Sequence, residues 1–498
     1  MNQKTFDKIL EIGIQLSAER DYDKLFTKII NCAMELTNCD AATLYLYEND
    51  VLNFCIMKNK TLNIEQLLKD EETYPAVLMR EENICAYSAI HKKMLNISDA
   101  YESTDFNFSG PKRYDKLTKY RTKSILVAPL INNEDMLVGV LQLINALDKE
   151  GNVIPFDKDF EVTLCSLASQ MAIALSNMNY VKEIENIMLS ITRCFTDVID
   201  KRTPYNFYHS RNVYLYTELF VNYCNKLYKD GKSNRFFNTE NKKELLLAAL
   251  MHDIGKLVIP KDIMNKSTRL GNKLDLVLQR FDYLVALYEI DLLSNKISKD
   301  VAVTEQEYLK SSKEKIIDLN KASFLDKDNA KFLEGISDRC YVKADGEKIA
   351  YLNNDELECL SVARGNLTEK ERNIINSHAA YTEKYLESMK FKTRYSHISK
   401  WAGAHHEFLD GTGYPKGLKG DEIPFESRIL TVVDIYEALT SNDRPYKKAL
   451  KEDTAFGVLH EMADNGKIDK YILNIFEEAI RVDGDKVKLK TFGSNKEV

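Results

Sequence analysis

The sequence predicts a multidomain chain in which an α+β domain precedes a helix-rich remainder. Three observations carry this expectation. At 498 residues the chain has room for roughly three domains of about 150 residues, or two with one enlarged. Its 19 glycines and 9 prolines are about half the usual share, which leaves few turn residues and favours long helices. Six of the eight histidines fall between residues 200 and 410, so the composition changes abruptly behind the first domain.

Bulk properties narrow the classes further. With 44% hydrophobic and 29% charged residues the chain can bury several cores, which excludes disordered and collagen-like classes. The longest apolar runs, Ile125–Ile131 and Leu245–Met251, fall far short of the roughly 18–20 residues that cross a bilayer. Met1 to Arg20 has mixed charge on a helical pattern and lacks the basic start, apolar run and cleavage site of a secretory signal, so a cytoplasmic location and no membrane partner are expected. Nine cysteines occur without a CxxC pair, which points to buried free thiols instead of disulfides or a thiolate zinc site. A net charge of −7 argues against nucleic acid as a partner and leaves room for a local basic pocket.

Taken in order, Phe6, Ile9, Leu10, Gly13 and Leu16, then Leu25, Phe26, Ile29, Ile30, Ala33 and Leu36, recur at helical spacing. Ala42, Leu44 and Leu46 alternate along a strand from Asp40 to Tyr47, with a turn at Glu48-Asn49-Asp50 before a partner strand at Leu52 to Met57. A second hairpin pairs residues 124–131 with 136–145 across Asn132 to Asp135, and a closing helix from Lys158 aligns Phe160, Leu164, Leu167, Ala168, Met171 and Leu175. This order, with GVLQLIN and PFDKDFEVTLCSLASQMAIAL, resembles a GAF sensory domain over residues 20–178, behind an N-terminal helix at 1–19. The resemblance implies an unidentified small ligand for this domain. Of the signature of nucleotide-binding members only Asn145, Phe156 and Asp159 have counterparts, and Ala146 stands where their lysine would. His91 is alone in this half and is expected to be structural.

Residues 179–200 form a linker helix in which Val181, Ile184, Met188, Ile191, Phe195 and Val198 are spaced three and four apart. That heptad pattern fits either a helix packed on its own domain or the seam of a parallel homodimer that relays a signal. Beyond it come His209 in YHSRNV, His252 and Asp253 in HDIGK, His378 within a helical segment, His405 and His406 in HHEFLDGTGYP, and Asp434 in VVDIYEALTSNDRPYK. One His-Asp pair is common in any protein, but the ordered set is a metal-site pattern. Imidazoles and carboxylates in such numbers suit first-row metals better than thiolate-bound zinc. His397 and His460 fall outside these motifs and are expected to be ordinary helix residues.

Together HSxxV, HDIGK, LTxxE with its histidine, HHExxDGxGYP and DxxxALTSxxRPY resemble the signature of HD-GYP phosphohydrolases, over a domain at residues 201–483 that leaves a C-terminal tail at 484–498. The resemblance implies an all-α fold, two first-row divalent metal ions, iron or manganese, and hydrolysis of cyclic di-GMP. It assigns the metal ligands to His209, His252, Asp253, His378, His405, His406 and Asp434, with Asp253 bridging. Lys256 is assigned to the scissile phosphate, Arg444 and Lys447 to the phosphates, and Tyr414 to the guanine side. Two metals about 3.5–4 Å apart can share and acidify a water and clamp a phosphate for in-line attack.

Two departures from the family pattern stand out. Residues 270–365 form an insertion between HDIGK and the next histidine, helical at first and rich in Lys, Glu and Asp from Ile297 to Lys331, as expected of long solvated helices. Tyr205 occupies the position from which some members offer a glutamate to a third metal, so a two-metal site and linear pGpG as product are expected. Two alternatives stay open: a catalytically silent module that binds a cyclic dinucleotide, and an HD phosphohydrolase for another cyclic nucleotide such as cyclic GMP-AMP.

Overall fold

A computed structural model describes residues 3–19, 21–67, 75–202, 208–391, 395–441 and 449–493. The chain divides into two units, Met1–Ile187 and Met188–Val498.

In the first unit, the helices Gln3–Ala18 and Tyr22–Thr37 lead into strand β1, Cys39–Glu48. Asp21 caps the second helix by accepting from Lys24 N, and Asn38 ends it in the left-handed region at φ 47°. β1 pairs antiparallel with β2, Val51–Asn59, through a turn in which Asn49 and Asp50 both have positive φ, 52° and 61°. A two-residue hairpin needs that twist, and asparagine and aspartate tolerate it. Short strands follow at Ile64–Leu67 (β3), Val77–Leu78 (β4) and Leu95–Ile97 (β5). The second expected hairpin is present as Ile125–Ile131 (β6) and Leu137–Leu147 (β7), with Val153–Ile154 (β8) on the edge of β7. The strand order is β3-β2-β1-β7-β6-β5.

Both faces of this sheet are covered. Ala42, Leu44, Leu126, Ala128, Leu141 and Leu143 pack with Leu25, Ile29, Leu167 and Met171 from the flanking helices. The alternate residues Tyr45, Ile125, Val127 and Val140 pack with Ile84, Cys85 and Phe108 on the other side. Two-sided burial explains why SILVAPLI reads as a continuous apolar run and not an alternating one. Asn145 has a role within the fold. At φ 58° it donates from Nδ2 to Tyr120 Oη (3.0 Å) and the Arg121 carbonyl (2.8 Å) and accepts from Lys123 N (2.7 Å). His91 pairs with Glu81 at 2.9 Å and packs its ring 4.2 Å from that of Tyr87, which agrees with a structural role.

One unbroken helix, Lys158–Asp200, contains both the closing helix and the linker segment. The cysteine expectation holds for Cys39, Cys85, Cys224 and Cys359, which are buried and free, but Cys165 and Cys194 are exposed because both lie on the outer face of this helix. Among the described residues no helix is long and apolar enough to cross a membrane.

The second unit is helical, with two separate cores. One draws on residues from Ile199 to Ile254 and from Leu386 to Ile480, including Phe220, Leu245, Trp401, Val433, Tyr436 and Phe476. The other lies wholly between Leu270 and Leu360 and includes Phe281, Leu309, Ile316, Leu333 and Tyr351. In it the helices Leu274–Leu293 and Lys299–Lys321 pack together, followed by Lys327–Ser337 and a hairpin of Cys340–Val342 with Lys348–Ala350. The charged stretch expected to be solvated long helix is therefore amphipathic: Ala302, Leu309, Ile316 and Leu319 recur at three- and seven-residue steps and are buried. At the neck, fully buried Arg269 donates to the carbonyls of Ala322 (2.9 Å), Leu360 (2.7 Å) and Val362, tying the outgoing and returning strands of chain together.

Candidate metal centre

Five helices deliver the histidine and aspartate set to one buried point. His209 opens the helix His209–Lys229, His252 and Asp253 follow the end of Thr239–Met251, and His378 sits mid-way along Glu369–Ser388. His405 and His406 follow the short helix Ile398–Gly403, and Asp434 faces inward from Phe425–Thr440. His209, His252, Asp253, His378, His405 and Asp434 are all buried. Their donors form two groups, His209 with His252 and Asp253, and His378 with His405 and His406, each with its ligand atoms within 4.8 Å of one another.

Asp253 lies between the groups. Its Oδ2 is 3.3 Å from both His209 Nε2 and His252 Nε2, while its Oδ1 is 3.3 Å from His378 Nε2 and 4.0 Å from His405 Nε2. Asp434 reaches the first group through Oδ1, 3.2 Å from His209 Nε2, and approaches His406 Nδ1 at 4.0 Å through Oδ2.

The imidazoles are aimed by what lies behind them. Nδ1 of His252, His378 and His405 faces the carbonyls of Ala249 (2.7 Å), Ile375 (2.7 Å) and Ala402 (2.5 Å), each three residues earlier in the chain. A carbonyl only accepts, so Nδ1 carries the proton and the Nε2 lone pair points into the site. His209 Nδ1 is held by buried Glu437 at 2.6 Å, whose other oxygen accepts from Asn212. Such outer partners orient metal-binding histidines and raise their basicity.

Three buried atoms in this volume, Asp253 Oδ1, His378 Nε2 and His405 Nε2, have no hydrogen-bond partner among the described residues. Leaving buried acceptors unpaired costs about 1–3 kcal/mol each. Their convergence fits a cation that takes lone pairs, and imidazole with carboxylate suits first-row metals. Charge effects run the same way. Burial holds His406 down to about 3 and His405 well below its ordinary range, with the neighbouring imidazoles adding to the effect at His405, so both stay neutral and able to ligate. Burial would raise the Asp253 carboxyl, but Lys256 and His252 outweigh it and keep the group ionised. His209 differs: burial opposes its proton, yet Glu437, Asp253 and Asp434 hold it well above its usual range, so a cation bound there would have to displace that proton.

Of the residues assigned to substrate, Lys256 contacts Asp253 Oδ2 from the turn Ile254–Val258. The Tyr414 ring stands 4.7 Å from His406 and 6.2 Å from His378, beside the second group. Arg444, Lys447 and Tyr205 lie outside the described residues. Glu407, conspicuous in the HHE motif, faces away from the donors: its buried carboxylate accepts from Lys416 N (2.7 Å) and Leu418 N (2.9 Å) and shapes the loop that presents Tyr414. His460 lies in the helix Glu452–Asp464 as expected and pairs with Glu477, whereas His397 stands before the helix Ile398–Gly403 as its cap residue and pairs with Glu244; neither enters the site.

Two supporting residues escaped the sequence reasoning, Glu437 and Thr382. Glu437 lies three residues after Asp434, and Thr382 four after His378, so helical spacing places each on the inward face. Thr382 Oγ1 donates to the His252 carbonyl (2.9 Å) and accepts from Gly255 N (3.0 Å), joining the HDIGK turn to the helix of His378. Gly255 is required there, since a Cβ would collide with the His378 carbonyl oxygen.

Comparison with known proteins places both parts of the chain in described domain families. The GAF domain family matches residues 21–175, and two HD domain families match 206–325 and 355–472. The first HD match contains His209, His252, Asp253 and Lys256, and the second the remaining donors. A 3'3'-cGAMP-specific phosphodiesterase 3 of Vibrio cholerae is 47% identical over 20% of this chain and 20% of its own length. The cyclic di-GMP phosphodiesterase response regulator RpfG of Xanthomonas campestris is 39% identical over 21% of this chain and 26% of its own. The chain thus spans about a fifth to a quarter of the curated relatives it matches. Among solved structures, the GAF domain from an Acinetobacter phosphoenolpyruvate-protein phosphotransferase aligns at 15% identity over 37% of this chain and 99% of that one, with a TM-score of 0.28.

Proposed function

We propose that this chain, a GAF domain followed by an HD-domain region, is a metal-dependent phosphodiesterase that opens cyclic di-GMP to linear pGpG under control of the GAF domain. The observation that carries the reading is Asp253, whose two oxygens face two separate imidazole groups, with three partnerless lone pairs between them. On this reading one ion would be held by His209, His252, Asp253 and Asp434, and the other by His378, His405, His406 and Asp253; iron or manganese would suit these donors. Such a pair, when bound, supplies a nucleophile at neutral pH and an electrophilic clamp on the phosphate.

The chain's own residues do the rest. Lys256 carries a proton that Asp253 favours, though burial opposes it, and offers a cation to the phosphoryl oxygens as their charge grows. Arg444 and Lys447, which lie outside the described residues, are assigned to the phosphates by the family pattern. Tyr414 offers its ring to a guanine next to His406, a flat face of the kind that purines stack on. With Tyr205 in place of the third-metal glutamate, the linear product is held less well than the ring, and pGpG accumulates.

Two further features complete the proposal. Ile184, Ile187, Ile191, Phe195 and Val198 are each more than half exposed along the linker helix, a stripe that a parallel homodimer of this cytoplasmic protein would cover. Residues 270–365, with their own core, are an insertion into the phosphohydrolase domain.

One specific observation favours a second substrate, since the relative at 47% identity is named for 3'3'-cGAMP. Incubating the metal-loaded chain with cyclic di-GMP, 3'3'-cGAMP and cyclic di-AMP, and separating the products by chromatography, distinguishes the cases. The reading expects fastest loss of cyclic di-GMP with pGpG build-up. Faster loss of 3'3'-cGAMP transfers the assignment, and no turnover of any ring supports a silent binding module.

A further inference from the structure

The net charge of −7 conceals a concentrated run of basic residues on the first unit. The helix Ser109–Thr118 and the loop behind it carry Lys112, Arg113, Lys116, Lys119, Arg121 and Lys123 within twelve consecutive residues. The single acid in that stretch, Asp115, is buried and fully engaged, accepting from Tyr101 Oη (2.9 Å), Thr122 N (2.8 Å) and Thr122 Oγ1 (2.8 Å). Among the described residues none of the six cations forms an ion pair; Lys112 and Arg121 instead lie over the Tyr101 ring, at 5.1 and 4.3 Å from its centroid. A helix C-terminus accounts for one or two cations near its last turn, not for six.

In the middle of these charges stands Leu117, 79% exposed. Arg113, four residues earlier, shares its helical face, and Lys116 is exposed beside it, while Asp115 turns inward. A nucleic acid or an acidic polymer would satisfy the cations and leave this leucine in water. The boundary between lipid headgroups and acyl chains satisfies both, because it offers anions above and hydrocarbon beneath. We propose that this face of the first unit docks on an anionic membrane surface, with the cations on lipid phosphates and Leu117 inserted below them. Each cation near such a surface is worth about a fivefold gain in binding, and burying the leucine about tenfold or more.

Vesicle co-sedimentation of the full chain tests this, using phosphatidylcholine vesicles with and without phosphatidylglycerol. The chain should pellet with the anionic vesicles and stay in solution with the neutral ones. Arg113→Gln with Lys116→Gln should weaken binding about 25-fold, and Leu117→Ser alone about tenfold, with thermal unfolding unchanged because all three side chains are exposed. A wild type that ignores anionic vesicles overturns the proposal. So does a Leu117→Ser variant that binds as wild type while the glutamine variant fails, since that pattern belongs to an anionic polymer or acidic protein and not to a bilayer.

Discussion

Replacing Gly255 with alanine should disable the metal centre without replacing any ligand. A Cβ at this position would overlap the His378 carbonyl oxygen and stand 2.7 Å from Thr382 N and 2.9 Å from the His378 carbonyl carbon. All three atoms belong to the backbone of the helix Glu369–Ser388, so no side-chain rotation relieves the clash. Ordinary contact begins near 3.4 Å, and the helix must retreat by more than 1 Å from the HDIGK turn. Overpacking of this kind costs about 1–3 kcal/mol, and stretching the two Thr382 hydrogen bonds adds about 1 kcal/mol. The melting temperature should fall by roughly 5 °C or more. The retreat also lengthens the 3.3 Å approach of His378 Nε2 to Asp253 Oδ1, and a displacement of about 1 Å at a reacting centre costs about 100-fold in rate. Thermal unfolding, elemental analysis and product chromatography on the same preparation measure all three effects. A Gly255→Ala protein with wild-type melting temperature, metal content and turnover would refute the reasoning.

Other expectations follow from the same geometry. Asp253→Ala should abolish binding of both ions and His405→Ala should remove chiefly the second, as read by elemental analysis; equal retention in both variants would contradict the bridging role. Glu437→Ala strips the partner from His209 Nδ1 and should weaken metal affinity about 10–100-fold, measured by competition with a chelator. In metal-free protein the site should be most stable near pH 6.5. Burial keeps His405 and His406 neutral, so the unfolded chain gains protons below about 6.5 that the folded site refuses, and stability falls as pH drops from there towards 3. His209 is held protonated, and its contribution is lost as pH rises above 6.5 through its raised value. Urea unfolding across pH should show the acid fall flattened in His405→Asn/His406→Asn. For assembly, Ile184→Asp with Ile191→Asp probes the exposed positions of the linker stripe, whereas Met188 packs partly against the core of its own unit; a sizing column should show dimer for wild type and monomer for the variant.

Legibility in the sequence followed the physics of each element. Hairpins announced themselves through turn residues such as Asn49 and Asp50, whose side chains tolerate positive φ, and the donors stood out because histidine and aspartate are chemically conspicuous. Glu437 and Thr382 did not, since a glutamate or threonine on a helix is ordinarily a solvated residue and only the fold shows which face turns inward. The second core of residues 270–360 was masked by its charge. Lysines and glutamates on the outer face of Lys299–Lys321 outnumber the buried stripe of Ala302, Leu309, Ile316 and Leu319, so composition suggested solvent where periodicity would have shown packing. Arg269 was invisible for a different reason: an arginine is rarely buried, and this one is retained by carbonyls from two distant segments that meet only in three dimensions.

Stepwise addition of manganese or ferrous iron to metal-free protein, with cyclic di-GMP turnover read at each step, tests the two-ion centre around Asp253 most directly. Activity should stay low through the first equivalent, rise with the second and level off at two ions per chain. Full turnover without added metal, or a plateau after one equivalent, would contradict the account.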